Sequence, residues 1–452
     1  MDSPLVRQSR LSDDYTFAID SDGNRVELDD PRVVHVWPIG TNTYISRLIG
    51  AFFKKRGWKF RINGTTTPEV LRYARELCSG RECLPCASIT GSTYTDLIKN
   101  RGKDEISIYY NLDQDGSCQY GAWPVVWETF ARRLNVKNVI YLAGLGMKNN
   151  YAGQGALFAS ELASAISVGD LLDEARNTLY CLAVDENSAL KKFDDETDRI
   201  INSAEQGKMA LAAAIKNWAR IMSKIPLKCS LDRTPRVLLF GGLNVTFVHE
   251  PITRFFLERG IIAKVVDFGE GVTWLTSEPL IRYGFKRGIL SPEKIFSIPS
   301  LVLSIVNPWN DRRAAFEALK SRVLLSGFDF YAKRYRNIMK KSGLLYDIAA
   351  PFYAILKEGS KIASLAGYTE TPITVGRFVH SVNGGIFDGL VNIGCFNCQP
   401  AMNSQALLRS LSGTIDIPYA AIDCEGPWIS ANQHRLLDAV AIQSKRVRAD
   451  KY

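Results

Sequence analysis

Three cysteines near the C-terminus are placed where their thiolates could bind a metal. Cys395 and Cys398 follow an apolar segment predicted to be a strand, and Cys424 ends the next predicted strand. The elements concerned are a strand at 390–393, a helix at 400–411 and a strand at 418–422. A helix between two strands makes them parallel neighbours, whose carboxyl ends lie at one ligand-binding edge. Because Pro400 suits the first helical turn, Cys398 lies just before a helix N-terminus, where the partial positive charge stabilises a thiolate.

The first part of the chain repeats this placement with other cysteines. Cys118 lies between a predicted strand at 105–110 and a helix at 122–134, as Cys398 does in its own segment. Cys83 and Cys86 form a C-x-x-C pair, which alone suits a redox dithiol, half of a zinc site or part of an iron-sulfur cluster. The six thiols together exceed what one zinc ion uses and suit one or two iron-sulfur clusters. These candidate ligands are Cys83, Cys86, Cys118, Cys395, Cys398 and Cys424.

The other reactive residues carry weaker signals. Cys181 lies in the apolar run LYCLAV, and Cys78 and Cys229 follow no strand, so all three are interpreted as small buried hydrophobes. The four histidines are scattered, and only His249, after the glycine turn GGLN, is a candidate. That turn could approach a phosphate, although two glycines after a strand more often form only a tight turn. The candidate proton donors or hydrogen-bonding groups are His249, Gln399, Asp423 and Glu425, each of which is more often structural.

The cysteines fit a fold with two similar halves. Strands at 33–37 and 58–62, with a turn at 38–40 and a helix to about residue 55, indicate a βαβ unit, and the pattern recurs from residue 237. Segments 155–225 and 277–365 are predicted to be mainly helical, and 372–381 to be a further strand. The prediction is an α/β protein with two Rossmann-like domains, parallel sheets and helical insertions, and a cluster site between them. The predicted units are a polar N-terminal arm at 1–30, a first domain at 31–228 and a second at 235–452.

Composition limits the function classes. The 452 residues are 46% hydrophobic and 23% charged, typical of an ordinary globular protein. We find no signal peptide and no apolar run long enough to span a bilayer, which predicts a cytoplasmic protein with no membrane partner and free thiols. The net charge of +9 could suit an anionic partner or simply be a basic surface; no nucleic-acid motif accompanies it. No Walker sequence, G-x-S-x-G or complete G-x-G-x-x-G occurs, so we do not expect the chain to hydrolyse ATP.

An ordered set of segments resembles the 2-hydroxyacyl-CoA dehydratase superfamily, which includes benzoyl-CoA reductase subunits and double-cubane cluster proteins. Within that superfamily, the chain is similar to proteins related to the dehydratase D-component, which accompany CoA-substrate-specific enzyme activases. The similar segments span most of the chain from about residue 80. They are CLPCASITG, GSCQYGAW, NNYAGQGALFASELASAISVGDLL, VLLFGGLN, DGLVNIGCFNCQP and IPYAAIDCEGPWISANQHRLLDAV.

The resemblance implies a 4Fe–4S or larger cluster between two Rossmann-like domains and a separate ATP-hydrolysing iron-sulfur activator that delivers electrons. It also implies a homodimer or a heterodimer with a related subunit. Cys83, Cys118 and Cys398 match the motif cysteines. Two carboxylates of the family pattern are replaced, one by Ala401 and one within Gly241-Gly242, which argues against dehydratase activity. Six thiolates would give three per cubane in a double-cubane 8Fe–9S cluster.

Three hypotheses follow. The first is an iron-sulfur oxidoreductase, or its electron-accepting component, that acts on a small molecule or an acyl-CoA. The second is a non-catalytic cluster scaffold or electron relay for a partner enzyme. The third is a metal-free protein that keeps its cysteines as core residues.

Overall fold

The structure, a computed structural model, describes residues 6–37, 42–111, 118–142, 151–289, 292–299, 301–302, 311–347 and 351–451. The turn predicted at 38–40 lies outside these residues. The segment predicted as a polar arm contains a small antiparallel sheet in the order β1-β2-β3, and its Ala18 and Val26 are buried in the core of the first half. The three strands are β1 (Arg10–Leu11), β2 (Phe17–Ile19) and β3 (Arg25–Glu27).

The first half is built around a parallel four-stranded sheet. Its elements are β4 (Val33–Trp37), α1 (Thr43–Lys54), β5 (Lys59–Ile62), α2 (Pro68–Leu77), α3 (Leu84–Thr95), β6 (Ile106–Tyr110), α4 (Trp123–Arg133), β7 (Val139–Leu142), α5 (Gly155–Leu182), α6 (Glu186–Ala204) and α7 (Lys208–Met222). The strand order is β5-β4-β6-β7, with every pair parallel.

The second half repeats the sheet topology. Its elements are β8 (Arg236–Phe240), α8 (His249–Leu257), β9 (Ile262–Val265), α9 (Phe268–Lys286), α10 (Pro292–Ile295), α11 (Arg312–Met339), α12 (Phe352–Ser360), α13 (Thr371–Gly384), β10 (Gly389–Cys395), α14 (Gln399–Ser412), β11 (Tyr419–Cys424) and α15 (Ala431–Lys451). The order β9-β8-β10-β11 is that of the first sheet, strand for strand. The predicted α/β class and the two Rossmann-like sheets are therefore confirmed.

One predicted strand is wrong. Residues 372–381 lie in the helix α13, not in a strand. The segment TPITVGRFVHS is rich in apolar and β-branched residues, which favours a strand prediction. The first half of α13 is buried nearly all round, however, so it does not show the contrast between an apolar and a charged face that marks a surface helix.

Helices of the two halves share one hydrophobic core. Helix α5 packs against α1 and also against β9 and α11 of the second half. Its Asp170 accepts hydrogen bonds from the backbone N–H groups of Phe268 and Gly269, at 3.0 Å each, at the start of α9. By length and composition α5 could cross a membrane, which corrects the prediction that no such run exists, but 78% of its most apolar window is buried within the protein.

Candidate metal centre between the two halves

Three cysteines directly precede helices at the carboxyl ends of the two sheets. Cys83 is the N-cap of α3 and Cys398 is the N-cap of α14. Cys118 is the N-cap of a short 3-10 helix that leads into α4. Cys118 follows β6 and Cys398 follows β10, the third strand of each sheet, so the predicted correspondence between these two residues is confirmed.

These three thiols are mutual neighbours, although they come from distant parts of the chain. The charge of a Cys118 thiolate would raise the pKa of Cys83, and both Cys83 and Cys118 act in the same way on Cys398. Cys83 and Cys398 are buried, at 4% and 3% exposure, in a core made by α3 and α4 of the first half and the sheet of the second. The fold therefore brings Cys83, Cys118 and Cys398 together from both halves.

Burial and the helix starts act on these thiols in opposite directions. A backbone N–H of the following turn faces each sulfur and lowers its pKa; the groups belong to Cys86, Tyr120 and Ala401. Burial is the larger effect, and it raises the pKa of Cys83 to about 12 and that of Cys118 to about 11. Burial likewise raises the pKa of Cys398 well above its usual value. Without a bound cation the three thiols are protonated at neutral pH.

Backbone hydrogen bonds join the two halves beside these thiols. The N–H of Leu84 donates to the carbonyl oxygen of Phe396 at 3.0 Å, and the Asn397 side chain donates to the carbonyl oxygen of Arg81 at 3.1 Å. Asn397 has φ of 55°, a left-handed conformation that asparagine adopts more readily than most residues. These bonds hold the turn from Cys395 to Cys398 against the loop that carries Cys83.

The remaining three candidate ligands flank this group. Cys395 and Cys424 are paired across β10 and β11, and Cys395 interacts electrostatically with both Cys83 and Cys398. Cys86 lies in the first turn of α3, with its sulfur 4.0 Å from the hydroxyl of Thr90. Burial raises the pKa of all three. Cys86 and Cys395 are thus neighbours of Cys83, and Cys424 joins the group through Cys395.

Two of the cysteines interpreted as bystanders lie elsewhere, whereas the third is near Cys86. The sulfur of Cys181 is 3.8 Å from the carbonyl oxygen of Leu257, and Cys229 is exposed. Cys78 is half-buried at the end of α2 and interacts electrostatically with Cys86. The interpretation of Cys229 as a buried residue is therefore wrong, and Cys78 lies nearer to the candidate ligands than its sequence position indicated.

The four predicted polar groups have structural contacts or face solvent. His249 begins α8, its Nδ1 lies 3.2 Å from the hydroxyl of Thr253, and burial lowers its pKa to about 4. Gln399 is half-buried in the first turn of α14. Asp423 is exposed and accepts a hydrogen bond from Gln405 at 2.9 Å, and Glu425 is exposed.

A carboxylate that the sequence reasoning did not single out lies at the site. Glu370 is the N-cap of α13, is 4% exposed, and has a pKa raised by burial to about 7. Its charge would raise the pKa of both Cys118 and Cys398. A second buried carboxylate, Glu278 of α9, acts on Cys118.

The glycine turn after β8 makes room for this carboxylate. A Cβ on Gly242, where φ is +78°, would lie 2.1 Å from Oε2 of Glu370, and that oxygen accepts the N–H of Leu243 at 2.8 Å. A Cβ on Gly241 would lie 2.0 Å from the carbonyl oxygen of Ile393 in β10. The two glycines thus allow close approach of protein groups, a use that the sequence alone did not reveal.

Within the described residues, no three His, Cys, Asp or Glu side chains surround one point closely enough to hold a single metal ion. The thiolates of a cubane cluster bind different iron atoms, so a cluster does not need that arrangement. The donor set of buried thiols and one carboxylate is suitable for iron. Neither a scan against protein-family models nor a search of curated proteins finds a match to this chain.

Proposed function

We propose that this protein is a cytoplasmic iron-sulfur oxidoreductase, or the electron-accepting component of one, related to the 2-hydroxyacyl-CoA dehydratases and double-cubane cluster proteins. The supporting observation is the grouping of Cys83, Cys118 and Cys398, from both halves, each just before a helix start. In the proposed scheme an ATP-hydrolysing iron-sulfur activator supplies the electron, and a small molecule or an acyl-CoA is the final acceptor.

The proposed ligands are Cys83, Cys118 and Cys398. If the cluster is a double cubane, Cys86, Cys395 and Cys424 are further ligands. When bound, a cubane cluster supplies a site that accepts and passes on a single electron. The protein's contribution is a backbone N–H at each helix start, which faces the sulfur and opposes the effect of burial on the thiol pKa, and burial that excludes water. Burial and hydrogen bonds to sulfur are also the means by which a protein sets the reduction potential.

An electron relay is the second candidate function. One pocket beside Glu370, lined by residues that include Gly242, Thr374 and Arg377, has a volume of about 10 Å³. That volume holds about one water molecule, much less than an acyl group requires. A relay needs no substrate pocket, so this observation favours the relay over an enzyme that acts on a large substrate at that point.

The first experiment is iron and acid-labile sulfide analysis, with an absorption spectrum, on protein purified and reconstituted anaerobically. We expect roughly four irons per chain for one cubane or roughly eight for a linked pair. Cys398→Ala and Cys118→Ala should each lose most of the iron, whereas Cys229→Ala, which removes an exposed thiol, should keep it. Wild-type protein that binds no iron after reconstitution would rule out the cluster.

The enzyme and the relay differ in where the electrons go. Cluster-loaded protein is reduced with a low-potential donor, and its reoxidation is followed spectroscopically with candidate acceptors. Reoxidation by a small molecule or an acyl-CoA, repeated over many turnovers, supports the enzyme. Reoxidation only by a partner protein supports the relay.

A further inference from the structure

Glu370 occupies the position in the second half that Cys83 occupies in the first. Each is the N-cap of a helix, α3 or α13, that leads into the third strand of its sheet. In each helix the second residue is proline, Pro85 or Pro372. Because Cys118 and Cys398 are the other corresponding pair, the two halves present four groups in matching positions: three thiols and one carboxylate.

The contacts of Glu370 fix its carboxylate at the turn after β8 and join its helix to the turn after Cys398. The N–H of Leu243 donates to Oε2, which fixes the orientation of the carboxylate. The hydroxyl of the next residue, Thr371, donates to the carbonyl oxygen of Pro400 at 3.4 Å, which joins the start of α13 to the turn that follows Cys398. The carboxylate is close enough to act electrostatically on Cys398 in its own half and on Cys118 in the other.

We propose that Glu370 is the fourth protein ligand of the cluster, beside Cys83, Cys118 and Cys398. This inference rests on the proposed function. A carboxylate oxygen is a harder ligand than a thiolate, so one iron would differ from the other three in its ligand and in how readily it is lost. The hydrogen bond from Leu243 would then position the ligand, as hydrogen bonds to metal-bound carboxylates commonly do.

The test compares reconstituted wild type, Glu370→Gln and Glu370→Cys, with iron per chain and the electron paramagnetic resonance spectrum measured after mild oxidation. The glutamine can still accept the N–H of Leu243 but carries no charge. We expect this variant to lose about one iron in four and to show a three-iron signal. The cysteine variant, which restores an ionisable ligand, should return to the wild-type iron content. If the carboxylate had only a structural role, a thiol in its place would not restore the iron content.

Glu278→Gln is the matched control, because it removes another buried carboxylate that acts on Cys118 but lies within α9 instead of at a helix start. It should keep the wild-type spectrum. Circular dichroism confirms that each variant is folded. If wild type binds iron and folded Glu370→Gln has the same iron content and spectrum, the ligand assignment is wrong while the proposed function stands. If wild type binds no iron, both fail.

Discussion

In the first half of the molecule the N-cap of the helix before the third strand is Cys83, and in the second half the N-cap of the corresponding helix is Glu370. The sheets have the same strand order, and both helices carry proline at their second position. The side chain that faces the site nevertheless differs in kind, a soft thiol in one half and a hard carboxylate in the other. The backbone thus places an N-cap residue at the same point of each half, and the identity of that residue determines the chemical group found there.

The helices that begin at these positions also pack in similar ways. Helix α3 crosses α2 so closely that a Cβ on Gly91 would lie 2.0 Å from the carbonyl oxygen of Val70. Helix α13 crosses α12 with equal closeness, since a Cβ on Gly376 would lie 2.0 Å from the carbonyl oxygen of Ile355. Both halves therefore position the helix start by a tight glycine contact further along the same helix.

The largest expected effect concerns the contact between the halves. Glu174 of α5 is fully buried, accepts the N–H groups of Tyr346 at 2.8 Å and Asp347 at 2.9 Å, and pairs with Lys264 at 3.3 Å. Glu174→Ala removes the acceptor of two backbone N–H groups and leaves the buried Lys264 with Asp267 as its carboxylate partner. It should therefore reduce the free energy of unfolding by about 3–5 kcal/mol, measured by urea denaturation. Glu69→Ala, which removes an exposed ion pair, should cost less than about 1 kcal/mol. Equal losses of stability in both variants would show that Glu174 contributes no more than an exposed ion pair does.

A matched pair of glycine substitutions tests the similarity of the helix contacts. Gly91→Ala and Gly376→Ala should each reduce the free energy of unfolding by about 1–3 kcal/mol or more, because the added methyl group meets rigid backbone. Gly327→Ala within α11 is the control: no atom outside its own turn of helix lies within 4 Å of the added Cβ, so it should stabilise the protein by about 0.5–1 kcal/mol. A cost at only one of the first two positions would show that the halves are held differently.

His35 distinguishes the core of the first sheet from that of the second. It is the third residue of β4, fully buried, whereas the third residue of β8 is Leu238. Burial lowers the pKa of His35 to about 4. Its ring nitrogens contact the Tyr110 hydroxyl at 2.8 Å and the Leu28 carbonyl oxygen at 3.2 Å.

The unfolded chain therefore binds the His35 proton more readily than the folded protein does. The stability that the buried, neutral His35 contributes is complete above pH 6.5. It is lost as the pH falls towards 4, by about 1.4 kcal/mol per pH unit. Denaturation of wild type and His35→Leu at several pH values should show a weaker pH dependence in the variant, which resembles the second sheet. Parallel curves would show that His35 is not the group that titrates.

The smallest effect is expected at Asp423, beside the candidate ligand Cys424. Its side chain is exposed, with Gln405 as a hydrogen-bond partner. Asp423→Asn should change the free energy of unfolding by less than about 0.5 kcal/mol and leave the iron content unchanged. A loss of iron in this variant would show that Asp423 also supports the cluster, in addition to the proposed ligands of the second half.

Regular local patterns allowed much of the fold to be predicted. Short apolar runs such as 106–110 and 389–395 are strands because they are buried on both faces of parallel sheets, and prolines and glycines mark their ends. The correspondence between Cys118 and Cys398 followed from the same order of strand, turn and helix. These features depend on neighbours in sequence, which is why the sequence alone contains them.

Glu370 could not be predicted in that way. Its helix has an apolar, β-branched sequence that imitates a strand, and a single glutamate after a threonine carries no chemical signal. One pattern would have revealed it: Cys83, Glu370 and Cys398 are each followed two residues later by proline. The tight contact at Gly242 and the closeness of Cys118 depend on tertiary packing between segments more than 100 residues apart.

The packing of α5 across both halves has a consequence for limited proteolysis. The connection near Cys229 is exposed, and it is the point at which the sequence divides into two similar parts. A single cut there would leave α5 in one fragment with its buried face still covered by β9 and α11 of the other. The nicked protein should therefore migrate as one species on a native gel and separate only under denaturing conditions.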